Sequence, residues 1–147
     1  MNYKKKKINE IQDEIINSFL KFKENREEMI NYIIDIGKKM KPLEKKHKTE
    51  KNIIEGCMSK VWLIYKIEKG GITFKADSNT IVTKGMISLL IKILSGQEAD
   101  EIINSNLYFI KKIGMNKLIG SQRLNGIGHM IKKIKIISII NKKNTTN

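Results

Sequence analysis

Residues 60–76, KVWLIYKIEKGGITFKA, break the rhythm of the chain around them. Val61, Leu63, Tyr65 and Ile67 alternate with Trp62, Ile64, Lys66 and Glu68, the two-residue repeat of a strand that starts apolar on both faces. Lys69, Gly70 and Gly71 supply a hairpin turn, and Ile72, Phe74 and Ala76 return along one face. The segments on either side have helical periodicity, so any fold must lay helices over this hairpin.

Upstream, Ile8, Ile11, Ile15, Ile16, Phe19 and Leu20 recur with a period of about 3.6, predicting an amphipathic helix over 8–22. A second helix begins near Asn25. It carries Glu27 and Glu28 in the first turn, where the helix dipole favours acids, and ends around 39–41, before the only proline, Pro42. LEKKHKTEKN, 43–52, reads as a polar loop. Beyond the hairpin, Asp77 and Ser78 are candidate N-caps for a helix over 79–94 that aligns Val82, Met86, Leu89 and Ile93. A short helix over 97–104, a weakly patterned stretch to Gly120 and a last helix from Ser121 to about Ile139 complete the pattern. The expected class is α+β: an antiparallel β-sheet covered by α-helices, with two helices at the N-terminus and a long one at the C-terminus. One domain is expected over 1–140, with a disordered tail over 141–147.

The net charge of +14 suggests a polyanionic partner, but 27 of the 29 basic residues are lysine, in a chain dominated by isoleucine, lysine and asparagine. AT-rich codon bias accounts for that composition more economically than selection for nucleic acid. No Asp or Glu follows Glu101, which leaves the last third strongly cationic, yet aromatic interleaving and glycine-rich RNA motifs are missing. A basic nucleic-acid-binding module is therefore the alternative from another functional class, and no nucleic acid is expected as partner. Acidic residues at Glu10, Asp13 and Glu14 interrupt the basic N-terminus before any apolar core of a signal peptide develops. The longest apolar runs fall short of the roughly 20 residues that span a bilayer. A soluble protein of a reducing compartment, the cytoplasm, without membrane association, is expected.

One cysteine, Cys57, and one tryptophan, Trp62, lie together in IEGCMSKVWL. A single thiol makes no internal disulfide, and no C-x-x-C pair or metal-ligand set surrounds it, so no metal is expected. Gly56 lets the backbone bend just before Cys57, and the polar stretch before it places the thiol on a loop ahead of the first strand. From there it can be presented to a partner or folded back under apolar cover. Lys51 and Lys60 would favour a thiolate, whereas Met58 and Trp62 would oppose it. His47, in a lysine-rich loop, and His129, in the last helix, are both poor candidates for a base, and no paired carboxylates, phosphate-binding glycine loop or HExxH helix is present. The remaining chemistry needs one sulfur and a partner: a thiolate can attack the outer sulfur of another protein's persulfide. Composition and spacing leave buried core residue and nucleophile equally open.

Gly56, Cys57, Ser59, Val61 and Trp62 form a G-C-x-S-x-V-W run, preceded by Asn52 and by Lys48-Thr49. Downstream, ADSNTIVTKGM carries Asp77, Ser78, Lys84 and Gly85, and SQRLNGIGHMIKKI carries Arg123, Asn125, Gly126, Ile127 and Met130. With EEMINYIIDIG upstream, these runs resemble, in order, the SufE-like sulfur-acceptor proteins, partners of SufS-type cysteine desulfurases. The likeness spans about residues 26–135. One departure is the absence of the His and Pro that often precede the family's equivalent of Arg123. The resemblance implies a SufE/IscU-like fold. It makes Cys57 a persulfide acceptor that takes sulfur from a pyridoxal-phosphate desulfurase, stimulates that enzyme and passes sulfur to a SufBCD-type scaffold through SufB for iron-sulfur cluster assembly. The chain itself would then be a carrier and activator with no bound cofactor, a monomer or weak homodimer. Gly56 would act as loop hinge, Ser59 and Trp62 as support, and Asp77 and Arg123 as cavity or docking residues, with cap and loop-anchor roles equally open. A CsdE-like acceptor serving a different desulfurase fits the same residues, whereas an IscU-type cluster scaffold needs more thiolates than one.

Overall fold

The computed structural model of the protein describes residues 5–145. Helices α1 (Ile8–Leu20) and α2 (Arg26–Lys39) lead into two 3-10 turns, Lys45–His47 and Glu50–Asn52, and then into strands β1 (Val61–Glu68) and β2 (Gly71–Ser78). Helices α3 (Ile81–Leu94), α4 (Ala99–Ile103), α5 (Phe109–Lys112), α6 (Met115–Ile140) and α7 (Lys142–Thr145) follow. The strands pair antiparallel, from Val61 opposite Ser78 to Glu68 opposite Gly71, which sets Trp62 against Asp77. This is the expected α+β arrangement of a hairpin under helices.

Local chemistry explains the element ends. Asn25 caps α2 by accepting the Glu28 N–H at 3.1 Å. The α1–α2 turn is tight enough to hold Lys23 and Glu24 in the left-handed region, at φ 46° and 63°. The inner hairpin face, Val61, Leu63, Ile72, Phe74 and Ala76, is buried in one core with Ile87, Leu90, Ile93 and Leu94 of α3. Helix α3 is apolar nearly all round because it lies in the middle, between the sheet and the outer helices.

Three expectations change. Asp77 and Ser78 do not cap α3: they are the last residues of β2, and Thr80 holds the cap position without a side-chain bond. The strand runs on because the Asp77 carboxylate is buried and fully engaged elsewhere, as described below. The stretch expected to be weakly patterned ends in a helical segment from Met115. Gly120, at φ 81° and ψ 166°, interrupts α6 where the last helix was expected to begin. Past α6, Lys142–Thr145 forms a helical turn where the sequence suggests a disordered tail, and Lys142 pairs with Asp100 at 3.0 Å. Thr146 and Asn147 lie outside the described residues.

Helices α2 and α3 touch backbone to backbone at two glycines. A Cβ on Gly37 would fall 2.7 Å from the Gly85 nitrogen, and one on Gly85 would run into the carbonyl oxygen of Ile33. Because backbone cannot swing aside as a side chain does, Gly85→Ala is expected to cost roughly 1–3 kcal/mol. A lowered urea midpoint with an unchanged slope would show this.

Candidate functional site

The loop that carries Cys57 is closed at its base. The Ile54 N–H donates to the Val61 carbonyl at 2.8 Å, and the Lys60 N–H donates to Asn79 Oδ1 at 3.0 Å. Cys57 projects from the tip toward α6, where Sγ donates to the Gly126 carbonyl at 3.6 Å. Gly126 has no side chain to intervene: a Cβ there would already touch Sγ at 3.5 Å. Gly56 reaches its position at φ 92°, and its Cα lies against the His129 imidazole so closely that a Cβ would come within 2.5 Å of the ring. One turn of α6 therefore holds both residues of the loop tip.

The thiol is half-buried at a cavity of about 550 Å³ formed by the loop, α3 and the two sides of the Gly120 break. Thr83, Met86, Ile119, Arg123 and Met130 line it alongside Cys57. Arg123 is its only charged lining residue among those described, and neither Lys51 nor Lys60 reaches it. The balance the sequence left open between cations and apolar cover goes to the cover: burial pushes the Cys57 thiol up, so it is protonated at neutral pH. Met58, beside it, is 81 % exposed and marks the accessible side of the loop.

The other expected site residues separate into two groups. Ser59 anchors the loop to the start of α3, its hydroxyl accepting from Thr80 at 2.7 Å and Thr83 at 3.3 Å. Arg123 shares the cavity with Cys57. Trp62 and Asp77 belong to a different cluster on the hairpin, away from the thiol cavity: Lys48 Nζ stands 5.5 Å over the Trp62 ring and 3.2 Å from Asp77 Oδ2. Asp77 is 2 % exposed and supports structure rather than offering a surface. His47 lies in a 3-10 turn and does not line the thiol cavity, and among the described residues neither histidine hydrogen-bonds Sγ. Among those residues, too, no group of three or more His, Cys, Asp or Glu is placed to hold a metal ion, and no helix is long and apolar enough to cross a membrane.

His129, a poor candidate for a base from its place in the last helix, packs instead: its ring is the floor on which Gly56 rests. His129→Ala is expected to free the loop and speed alkylation of Cys57 by iodoacetamide on the order of fivefold, the effect of about 1 kcal/mol on an open–closed balance. In both proteins the rate should keep rising with pH past the point where an ordinary thiol levels off, because burial raises the value of Cys57.

Three comparisons bear on this site. The sequence model of SufE, the Fe-S metabolism associated domain, matches residues 13–137. A SufE-like protein of Rhizobium meliloti (strain 1021) is 33 % identical over 128 residues, covering 84 % of this chain and 91 % of the relative. The cysteine desulfuration protein SufE of Wigglesworthia glossinidia brevipalpis is 31 % identical over 115 residues, 76 % of this chain and 79 % of that one. The solution structure of a hypothetical protein from Thermus thermophilus superposes with a TM-score of 0.72 over 88 % of this chain and 94 % of its own, at 14 % identity, a likeness of fold alone.

Proposed function

The chain belongs to the SufE family of Fe-S metabolism associated domains, and from that premise we propose that Cys57 accepts the sulfane sulfur of a cysteine desulfurase and relays it onward. The observation that carries this reading is the thiol's position: it lies on a loop that turns through Gly56 at φ 92°, lines a cavity, and makes a weak hydrogen bond to Gly126. In the closed loop the thiol is protonated and sheltered. When a docking partner draws the loop off α6, water and partner groups restore an ordinary thiol acidity, and the proton leaves to solvent. The Cys57 thiolate then attacks the outer sulfur of the partner's cysteine persulfide. A new S–S bond forms on Cys57, the donor's S–S bond breaks, and the donor leaves as thiolate, so no external oxidant or reductant is consumed. If the loop folds back, the same apolar cover that raised the thiol's pKa shields the persulfide from oxidation.

The reading assigns a SufS-type desulfurase as donor, whose pyridoxal phosphate performs the carbon–sulfur cleavage, and a SufB-type scaffold as recipient. This chain supplies no cofactor of its own. Arg123, the cavity's charged residue, is assigned to the docking surface beside the thiol. The test is to incubate the protein with a pyridoxal-phosphate-loaded SufS-type desulfurase and L-cysteine and to measure intact mass. A gain of about 32 Da per sulfur, removed by reductant and mapped to the Cys57 peptide, is the expected result. A chain that gains no mass and leaves desulfurase turnover unchanged would not be a sulfur acceptor.

A further inference from the structure

A second cavity, about 540 Å³ and nearly as large as the one at Cys57, lies between α1, the α1–α2 turn and the α5–α6 junction. It shares no lining residue with the thiol site. Its depth is apolar: Phe19, Met29, Ile113 and Leu118 form the floor, exposed by only 2, 6, 8 and 5 %. Leu20, at 66 % exposure, stands at the lip. The mouth is cationic, with Lys23, Lys111, Lys112 and Lys117 around it, none of them ion-paired among the described residues, and Glu24 the only carboxylate. Arg26 is held there by bonds from Nε to the Lys117 carbonyl at 3.3 Å and from Nη2 to the Leu118 carbonyl at 3.1 Å.

From this two-zone chemistry we infer that the cavity binds a single-chain amphiphile with an anionic head, a long-chain carboxylate or alkyl phosphate. The volume is that of a small-molecule site, and such sites are apolar with a few oriented polar groups. A chain in the floor removes apolar surface from water, while the head meets five cations against one carboxylate. Lys23 and Glu24, both cavity residues, sit in left-handed backbone that costs non-glycine residues on the order of 1 kcal/mol each, and strain of this kind collects at ligand sites. Nucleic acid does not suit the site. Phe19 is the only aromatic among the lining residues and is buried, so it offers no face for a base to stack on.

The inference is tested by calorimetric titration with sodium dodecanoate below its micelle concentration, alongside dodecyl phosphate, butyrate, dodecyltrimethylammonium and vesicles of phosphatidylglycerol. Dodecanoate and dodecyl phosphate are expected to saturate one site, with butyrate and dodecyltrimethylammonium at least about tenfold weaker. The double variant Lys111→Glu/Lys112→Glu and, separately, Leu20→Glu at the exposed lip should each weaken dodecanoate by about tenfold without changing Cys57 alkylation. Sedimentation at the same concentrations should show a single copy per ligand. Failure of dodecanoate to saturate, equal binding of the cationic amphiphile, or unchanged affinity in both variants would overturn the inference. Binding to vesicles alone would replace it with a membrane-surface contact, and ligand-independent self-association through this face would assign the cavity to a second copy of the chain.

Discussion

Cys57→Ser is expected to yield a folded protein that takes up no sulfur. The two halves of that result separate chemistry from structure. Structurally, Cys57 Sγ contributes one long hydrogen bond, 3.6 Å to the Gly126 carbonyl, from a half-buried position, and a serine hydroxyl can donate to the same oxygen. The stability cost should be about 1 kcal/mol or less. Chemically nothing survives, because a serine hydroxyl is neither ionised near neutral pH nor able to carry sulfane sulfur. After incubation with desulfurase and cysteine, the variant's intact mass should be unchanged, and stimulation of alanine release should fall to the level without added protein. The informative failure is full stimulation without an adduct. That would make the chain an activator acting through contact alone, with Cys57 a packing residue after all. Cys57→Ala, which also removes the bond to Gly126, should behave as Cys57→Ser does, and a difference between them would expose a role for that hydrogen bond in holding the loop.

The hairpin was legible because its alternation is strict where it meets the core: Ile72, Phe74 and Ala76 are all buried, as a period of two requires. The start of α2 was legible from Glu27 and Glu28 in its first turn, and Asn25, near which the helix was expected to begin, caps it. Cys57 could be placed on a loop before β1 from Gly56 and the polar stretch ahead of it, although burial and exposure of the thiol could not be weighed until Gly126 and Met130 were seen to come from 69 and more residues away. Gln12 shows the same limit. It stands outside the apolar stripe of α1, yet it is fully buried, its amide donating to the Asn106 carbonyl at 3.0 Å and accepting the Phe109 N–H at 3.1 Å. No local signal announces partners so distant in the chain. Asp77 was misplaced for a related reason. An Asp followed by Ser before a helical stripe has the pattern of an N-cap, and the competing partners Leu43, Lys48 and Lys84 are scattered along the sequence. The matched run ADSNTIVTKGM contains both Asp77 and Lys84, so the ion pair was within the resemblance without being readable as one.

That cluster sets the second large effect: Asp77→Ala is expected to cost about 3 kcal/mol, at the lower end of what breaking a buried ion pair costs. Asp77 Oδ2 accepts the Leu43 N–H at 3.1 Å and Lys48 at 3.2 Å, while Oδ1 accepts the Ser78 N–H at 2.8 Å and Lys84 at 3.3 Å. One carboxylate thus joins the loop after α2, the end of β2 and the start of α3. Its removal strands two cations and a buried N–H, but Lys48 and Lys84 keep 32 and 20 % exposure and can turn partly to water, which holds the cost to the lower end. Asp77→Asn should cost less, since the amide oxygen still accepts one of the two N–H groups. The effect also has a pH signature. Burial alone would raise the Asp77 pKa, but the Ser78 N–H, Lys48, the Leu43 N–H and Lys84 outweigh it and hold the value below the ordinary one. A carboxyl depressed in the folded state binds its proton more readily when unfolded. Its contribution is therefore complete above the unfolded value, about pH 4, and is lost as pH falls through the lower folded value. The stability gap between the native protein and Asp77→Ala should accordingly be constant from about pH 7 to pH 5 and shrink toward pH 2. Urea titrations followed by Trp62 fluorescence measure it directly, since Lys48 leaves its place over the ring when the cluster opens. A gap that stays constant down to pH 2 would mean that Asp77 acts through packing, with its charge contributing nothing.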